Sequence, residues 1–135
     1  MVGSAFIAIP YRTEFNSVFS TIEKACLGEK LRPRRMDRLD FTEDIWNQTV
    51  MEIDAARVIV ADFTGIGEQK LPNPNVVTEA AHGRAIGKKI ILVTQDAPEQ
   101  LPFDWRHMPV IKYNSDNKGM INVAEALTRL LKTTL

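Results

Sequence analysis

The stretch VIVADFTGIGEQKLPNPNVVTEAAHGRAIGKKIILVT, Val58 to Thr94, decides the fold. It opens on apolar β-formers that stop at Asp62, crosses a loop of Gly, Pro and Asn, runs as a helix from Val76 to Ile86, and closes on a second apolar run, Lys89 to Thr94. Neither run alternates with polar residues, so each reads as a strand buried on both faces. Strand, helix and strand in that order predict a right-handed crossover in a parallel sheet, with Gly87 placed for a left-handed helix C-cap. A plain connection needs a turn and a cap. This one also carries Asp62, Thr64, Asn73, Asn75 and Glu79.

The same pattern extends in both directions. AFIAIP, Ala5 to Pro10, reads as a first buried strand, and Thr13 as the N-cap of a helix whose Phe15, Val18, Phe19, Ile22, Ala25 and Cys26 share a face up to about Gly28. KLRPRRMD, Lys30 to Asp37, reads as an edge strand, because Pro33 cannot donate to a ladder and its arginines resist burial. Asp40 or Thr42 is placed to cap a second helix with Ile45, Trp46, Thr49, Val50, Ile53 and Ala56 on one face. After the proline-marked loop Gln95 to Pro109, VIKYN (Val110 to Asn114) gives a fifth strand, and Met120 to Leu131 a last amphipathic helix. Strands and helices alternate throughout. The expectation is an α/β, flavodoxin-like three-layer sandwich around a central five-stranded parallel sheet, as one domain over residues 1–135.

Composition narrows the partners. The 17 basic and 17 acidic side chains cancel, so nucleic acid and anionic membranes are not suggested, and no apolar run reaches the roughly 20 residues of a spanning helix. The single cysteine, Cys26, excludes an internal disulfide or a cysteine metal cluster, and no signal peptide is evident, which makes a cytoplasmic setting the expectation.

In an open parallel sheet a ligand binds outside the carboxyl ends of the strands. The residues that follow the strands are Tyr11, Arg12 and Thr13, then Met36 and Asp37, then Asp62, Thr64 and Gly65, then Thr94 to Asp96, and finally Asn114 to Asp116. Asn73 and Asn75 precede the third helix, with Glu79 in its first turn or just beyond. YRTEF lacks the Ser/Thr/Gly loop that wraps a flavin phosphate, and GIGEQK fits neither GxGxxG nor a P-loop. Glu79-x-x-His82 is half of a di-iron motif whose other half is missing, so neither a metal nor a cofactor is expected.

Taken together, FIAIPYRTEF, VIVADFTG, NPNVVTEAAHGRAIGKKIILVTQ and LPFDWRHMPVIKY resemble the nucleoside 2-deoxyribosyltransferase-like group and its small TIR-like, nucleotide-binding relatives, over nearly the whole chain. The resemblance implies cleavage or transfer at the N-glycosidic bond of a nucleoside, nucleotide or NAD, with Glu79 as the catalytic nucleophile. It places Tyr11, Arg12, Asp37, Asp62, Thr64, Gly65, Asn73 and Asn75 around the substrate and implies a homodimer or larger assembly. Two departures bear on mechanism. Glu79-Ala80-Ala81 stands where the group commonly has Glu-Leu-Gly, and Asn73 stands where its transferases often have an Asp near the base. An amide binds a base edge but is no acid, so Asn73 points to a leaving group that is already cationic, unless Asp37 or Asp62 supplies the proton.

Each residue also has a plainer reading. Glu79 suits a helix dipole, Asn75 suits a cap, Asp62 suits a loop end, and His82 suits local packing on its helix. Tyr11 and Phe15 are the aromatics expected near a base, while Trp46, Phe41 and Cys26 read as core or subunit contact, and the arginines of residues 32–38 as a solvated edge. The alternative to an enzyme is a non-catalytic nucleotide-binding or signalling module of the same fold, or a scaffold with an empty crevice.

Overall fold

The computed structural model describes residues 3–36 and 44–135. Five strands, β1 (Gly3–Ala8), β2 (Leu31–Arg34), β3 (Val58–Asp62), β4 (Lys89–Thr94) and β5 (Val110–Lys112), form one sheet in the order β2-β1-β3-β4-β5. Every neighbouring pair is parallel, with Ala5 opposite Val58, Val58 opposite Lys89 and Leu92 opposite Val110. The expected flavodoxin-like sheet is therefore present. Four helices connect it: α1 (Asn16–Gly28), α2 (Ile45–Ala55), α3 (Pro74–Ala85) and α4 (Asn117–Thr134).

Side-chain alternation along each strand builds the two outer layers. Ala5, Ile7 and Ile9 of the first chain segment, with Val58, Val60, Ile91 and Val93, face Val18, Ile22, Val123 and Leu127 of α1 and α4. Phe6, Ala8, Ile59, Ala61 and Leu92 point the other way, to Ile53 of α2 and to Val76 and Ala80 of α3. All five residues of β3 are buried, which is why the strand shows no polar alternation in sequence. On the α2/α3 side the β4–β5 connection has no α-helix; two short 3-10 turns, Pro98–Gln100 and Phe103–Trp105, insert Leu101 and Trp105 into that layer.

Element ends differ from expectation where local hydrogen bonding decides them. Asp44 caps α2 by accepting from Trp46 N at 3.0 Å; Asp40 and Thr42 lie outside the described residues. Thr13 opens a 3-10 turn that runs into α1 rather than capping it. Gly87 has the left-handed backbone expected of it, φ +85°. Asp116 caps α4 through Gly119 N at 2.7 Å. Removing that acceptor in Asp116→Ala is expected to cost about 1 kcal/mol, a fall in Tm of about 3–5 °C for a domain of this size, measurable by thermal denaturation.

Candidate functional site

The order of the sheet reverses at β1, with β2 on one side and β3 on the other, so the connections leaving β1 and β3 diverge above their carboxyl ends. A cleft of about 290 Å³ lies there. Ile9, Pro10 and Tyr11 enter it after β1, Met36 after β2, Ile45, Trp46 and Thr49 from the start of α2, and Asn73, Asn75, Val76, Thr78 and Glu79 from the start of α3.

The entry to α3 fixes the polar end of this cleft. Asn73, not Asn75, is the N-cap: its Oδ1 accepts from Asn75 N at 2.8 Å and from Val76 N at 3.3 Å. Pro74 takes the first helical position, where its missing N–H costs nothing. Capping uses the carbonyl of Asn73, which leaves its amide N–H groups to offer a ligand. Val76, Ala80 and Gly83 form the buried stripe of α3, and Glu79 lies one turn along beside it, half-buried at the cleft wall. Glu79 is the sixth residue of the helix, past the first turn to which most dipole stabilisation is confined. Helix electrostatics alone do not account for its position. It is the only carboxyl group among the described residues that line the cleft.

Other strand-end residues face inward. Asp62 is 1% exposed; its Oδ1 accepts from Thr64 N at 2.8 Å and its Oδ2 from Tyr113 Oη at 2.5 Å. The Tyr113 hydroxyl also accepts from Gln95 Nε2 at 3.3 Å, Thr64 Oγ1 accepts from Gln95 N at 3.0 Å, and Asp96 Oδ2 accepts from Gly65 N at 2.5 Å. These bonds tie the ends of β3, β4 and β5 together. They satisfy backbone donors that leave the sheet ladder under burial, which is the demand that draws an acid to this position. Asp62, Thr64 and Gly65 are thus outside the cleft wall, contrary to expectation, and Gly65 has a separate reason to be glycine: a Cβ there would meet the Lys70 backbone. Arg12 is exposed and pairs with Glu14 at 3.3 Å, also away from the cleft. Asp37 lies outside the described residues.

Aromatic placement differs from expectation too. Tyr11 does line the cleft, with the Arg35 guanidinium 4.4 Å from its ring centroid, whereas Phe15 is buried in the α1/α4 layer. Trp46, expected in a core or contact surface, is half-exposed in the cleft wall and meets the His82 ring edge-on, centroids 5.7 Å apart. The missed signal was available: a helix entered from a strand's carboxyl end places its first turn on the ligand rim, and Trp46 is in the first turn of α2.

No protein-family model and no curated protein sequence matches the chain. Solved structures do. A 2-desoxiribosyltransferase from Leishmania mexicana superposes with a TM-score of 0.59 at 19% identity over 70% of this chain, which spans 65% of that protein's length. A CMP N-glycosidase from Clostridium botulinum gives 0.61 at 17% identity, covering 92% of this chain and 97% of its own. A flavodoxin-like domain from Synechococcus gives 0.64 at 14% identity over 96% and 99%. The chain shares their fold. Among the described residues no cluster of His, Cys, Asp or Glu has the grouping to hold a metal, and no helix is long and apolar enough to cross a membrane.

The inward carboxyl group has a measurable consequence. Burial pushes Asp62 up to about 6, partly offset by the hydrogen bonds from Thr64 and Tyr113 and reinforced by the Asp96 charge. Its folded pKa lies above the unfolded value near 3.9, so its contribution is full below about pH 4 and is lost as pH rises through about 6. The unfolding free energy of the wild type relative to Asp62→Asn is expected to rise by on the order of 2–3 kcal/mol between pH 7.5 and pH 4. Paired urea titrations check it, and a flat difference would mean that burial does not shift Asp62.

Proposed function

We propose that this chain cleaves or transfers at the N-glycosidic bond of a nucleoside, nucleotide or NAD-like substrate, with the Glu79 carboxylate as nucleophile. The observation that carries the reading is Glu79 itself, the one carboxyl group among the described residues of a cleft that Asn73, Tyr11 and Trp46 also line. Two proteins of the same fold support it, one named as a 2-desoxiribosyltransferase and one as a CMP N-glycosidase. In this mechanism a Glu79 oxygen bonds to the anomeric carbon while the carbon–nitrogen bond breaks and its electron pair leaves with the base. Water, or the nitrogen of a second base, then attacks the same carbon, releases Glu79 as carboxylate and gives up a proton.

A neutral base needs a proton as it departs. Asn73 cannot act as the acid, and the Asp62 carboxyl group is bonded to Thr64 and Tyr113 inside the sheet rim. The proposal therefore narrows to two routes: a leaving group already cationic, as nicotinamide is in NAD, or protonation by Asp37. A cleft of about 290 Å³, at the low end of the roughly 300–1,000 Å³ typical of small-molecule pockets, favours a single nucleoside unit over a whole dinucleotide. The lack of a second carboxyl group among the described cleft residues favours, as a second reading, a nucleotide-binding module without turnover. The family resemblance further suggests a homodimer or larger assembly, which light scattering measures.

Chromatography of bases released from NAD and from nucleosides and nucleotides tests the reading. Glu79→Gln is expected to lower the rate by more than about 10³-fold while substrate still raises Tm. Asp37→Asn is expected to slow release of neutral bases and to spare nicotinamide, if Asp37 is the acid. A wild type that binds nucleotide but releases nothing would establish the binding module instead.

A further inference from the structure

We propose that Gly83 is a positioning residue for Glu79: its missing side chain lets α3 seat on the sheet at the depth that sets the carboxyl group against the reacting carbon. The inference rests on the N-glycosidic reading of the cleft. Glycine inside a helix is destabilising relative to alanine, so its presence in α3 calls for a packing reason. A Cβ on Gly83 would overlap the δ-methyl of Ile59 in β3, while the next atoms, Ile59 Cγ1 at 3.4 Å and Ile53 Cγ2 of α2 at 3.5 Å, stand at ordinary contact. Gly83 is thus where α3 presses closest on β3 and α2. Ala81, where the transferase-like group commonly has glycine, is exposed, so in this chain the close approach falls two residues later.

Ile59 has little room to swing aside. It is fully buried, with Phe6 and Ile90 opposite it on the two neighbouring strands and in the same layer. In so dense a core an added methyl is met by a shift of the helix rather than by a free rotamer change. The far end of α3 is tied down: Lys88 N donates to Gly83 O at 2.9 Å, and Lys88 Nζ to Asp54 O, near the end of α2, at 2.6 Å. The displacement therefore passes to the other side of Gly83. Glu79 stands there, about one turn away in the same helix and half-buried in the cleft wall.

Bond formation at an anomeric carbon is steep in distance, and a misplacement of about 1 Å costs on the order of 10²-fold in rate. Binding is spread over the β1 end, α2 and α3, so it is less sensitive to a shift of one helix. Base release from CMP, adenosine and NAD, with Tm, is measured for the wild type, Gly83→Ala, Ile59→Val and the double variant. On the substrate that the wild type cleaves, Gly83→Ala is expected to lower kcat about 10²-fold with KM little changed. Ile59→Val removes the methyl that the new Cβ overlaps, so the double variant is expected to return to the kcat of Ile59→Val. Gly119→Ala controls for damaged packing as such: its Cβ would overlap the Asn114 carbonyl oxygen, in the first turn of α4 and outside the cleft. It is expected to lower Tm and leave kcat of the folded protein near wild type.

Loss of kcat in Gly83→Ala that the double variant recovers supports the proposal. An active wild type whose kcat survives Gly83→Ala, a loss that Ile59→Val leaves uncorrected, or equal losses in Gly83→Ala and Gly119→Ala overturns it and leaves the N-glycosidic reading standing. A wild type that releases no base overturns both. If Gly83→Ala alone does not fold, a double variant that folds with the kcat of Ile59→Val supports the seating, and one that folds with lowered kcat, or does not fold, overturns it.

Discussion

A carboxyl group buried at the end of the central strand is the constraint on which the rim of this sheet is built. Asp62 ends β3 with 1% exposure, and its two oxygens answer one backbone donor and one phenol. Without such an acceptor, Thr64 N would leave the sheet ladder unsatisfied in a dry environment, at a cost of roughly 1–3 kcal/mol. Asp96 does the same for Gly65 N, while Gln95 donates through its backbone N to Thr64 Oγ1 and through Nε2 to Tyr113 Oη. Three strand ends thus share one polar network. The chain then makes a tight loop, closed by Ile66 N donating to Leu71 O at 2.7 Å, and arrives at Asn73 in position to begin α3.

That arrangement divides the polar residues of the rim by chemistry. Acids that follow β3 and β4 are turned inward, where an ionisable group is costly unless it collects several hydrogen bonds. Among the described residues, the cleft receives amides, hydroxyls and one carboxyl group, that of Glu79. The difference follows from the route of the chain: Asp62 ends β3 and Asp96 follows β4 by two residues, whereas Asn73, Asn75 and Glu79 reach the rim at the start of a helix beside the cleft. The first two turns of α3 bury Val76 and Ala80 against the sheet and turn Asn75, Thr78 and Glu79 to the cleft.

The fold was legible because its signals are local and redundant. Val58 to Asp62 and Lys89 to Thr94 lack alternation since both faces are covered, and the stripe of Val123, Leu127 and Leu131 has the helical period of one buried face. Much of the site was not legible in the same way. Asp62 in sequence is an acid at a strand end; only the approach of Tyr113, 51 residues later, shows which way it points. Phe15 and Trp46 exchanged expected roles for a similar reason. Phe15 lies in a 3-10 turn that rotates it into the core, and Trp46 depends on where α2 begins, which the Asp44 cap decides. Asn73 as cap, rather than Asn75, changes which of its atoms can face a ligand, and sequence spacing does not distinguish the two.

The consequences for chemistry follow from that last point. An N-cap asparagine has spent its acceptor and keeps its donors, so Asn73 can hold a carbonyl or ring nitrogen of a base but cannot protonate it. An acid at the same position would cap the helix equally well and add a proton donor, so the amide gives up chemistry without gaining stability. On the proposed reading, a cleft whose amide is no acid suits a leaving group that carries its own positive charge, or one protonated by a group other than Asn73. In either case the energetic demand on Glu79 is the same. On the proposed reading Glu79 would meet developing positive charge at the anomeric carbon, and a half-buried carboxylate among apolar cleft residues is stronger in that task than one in water.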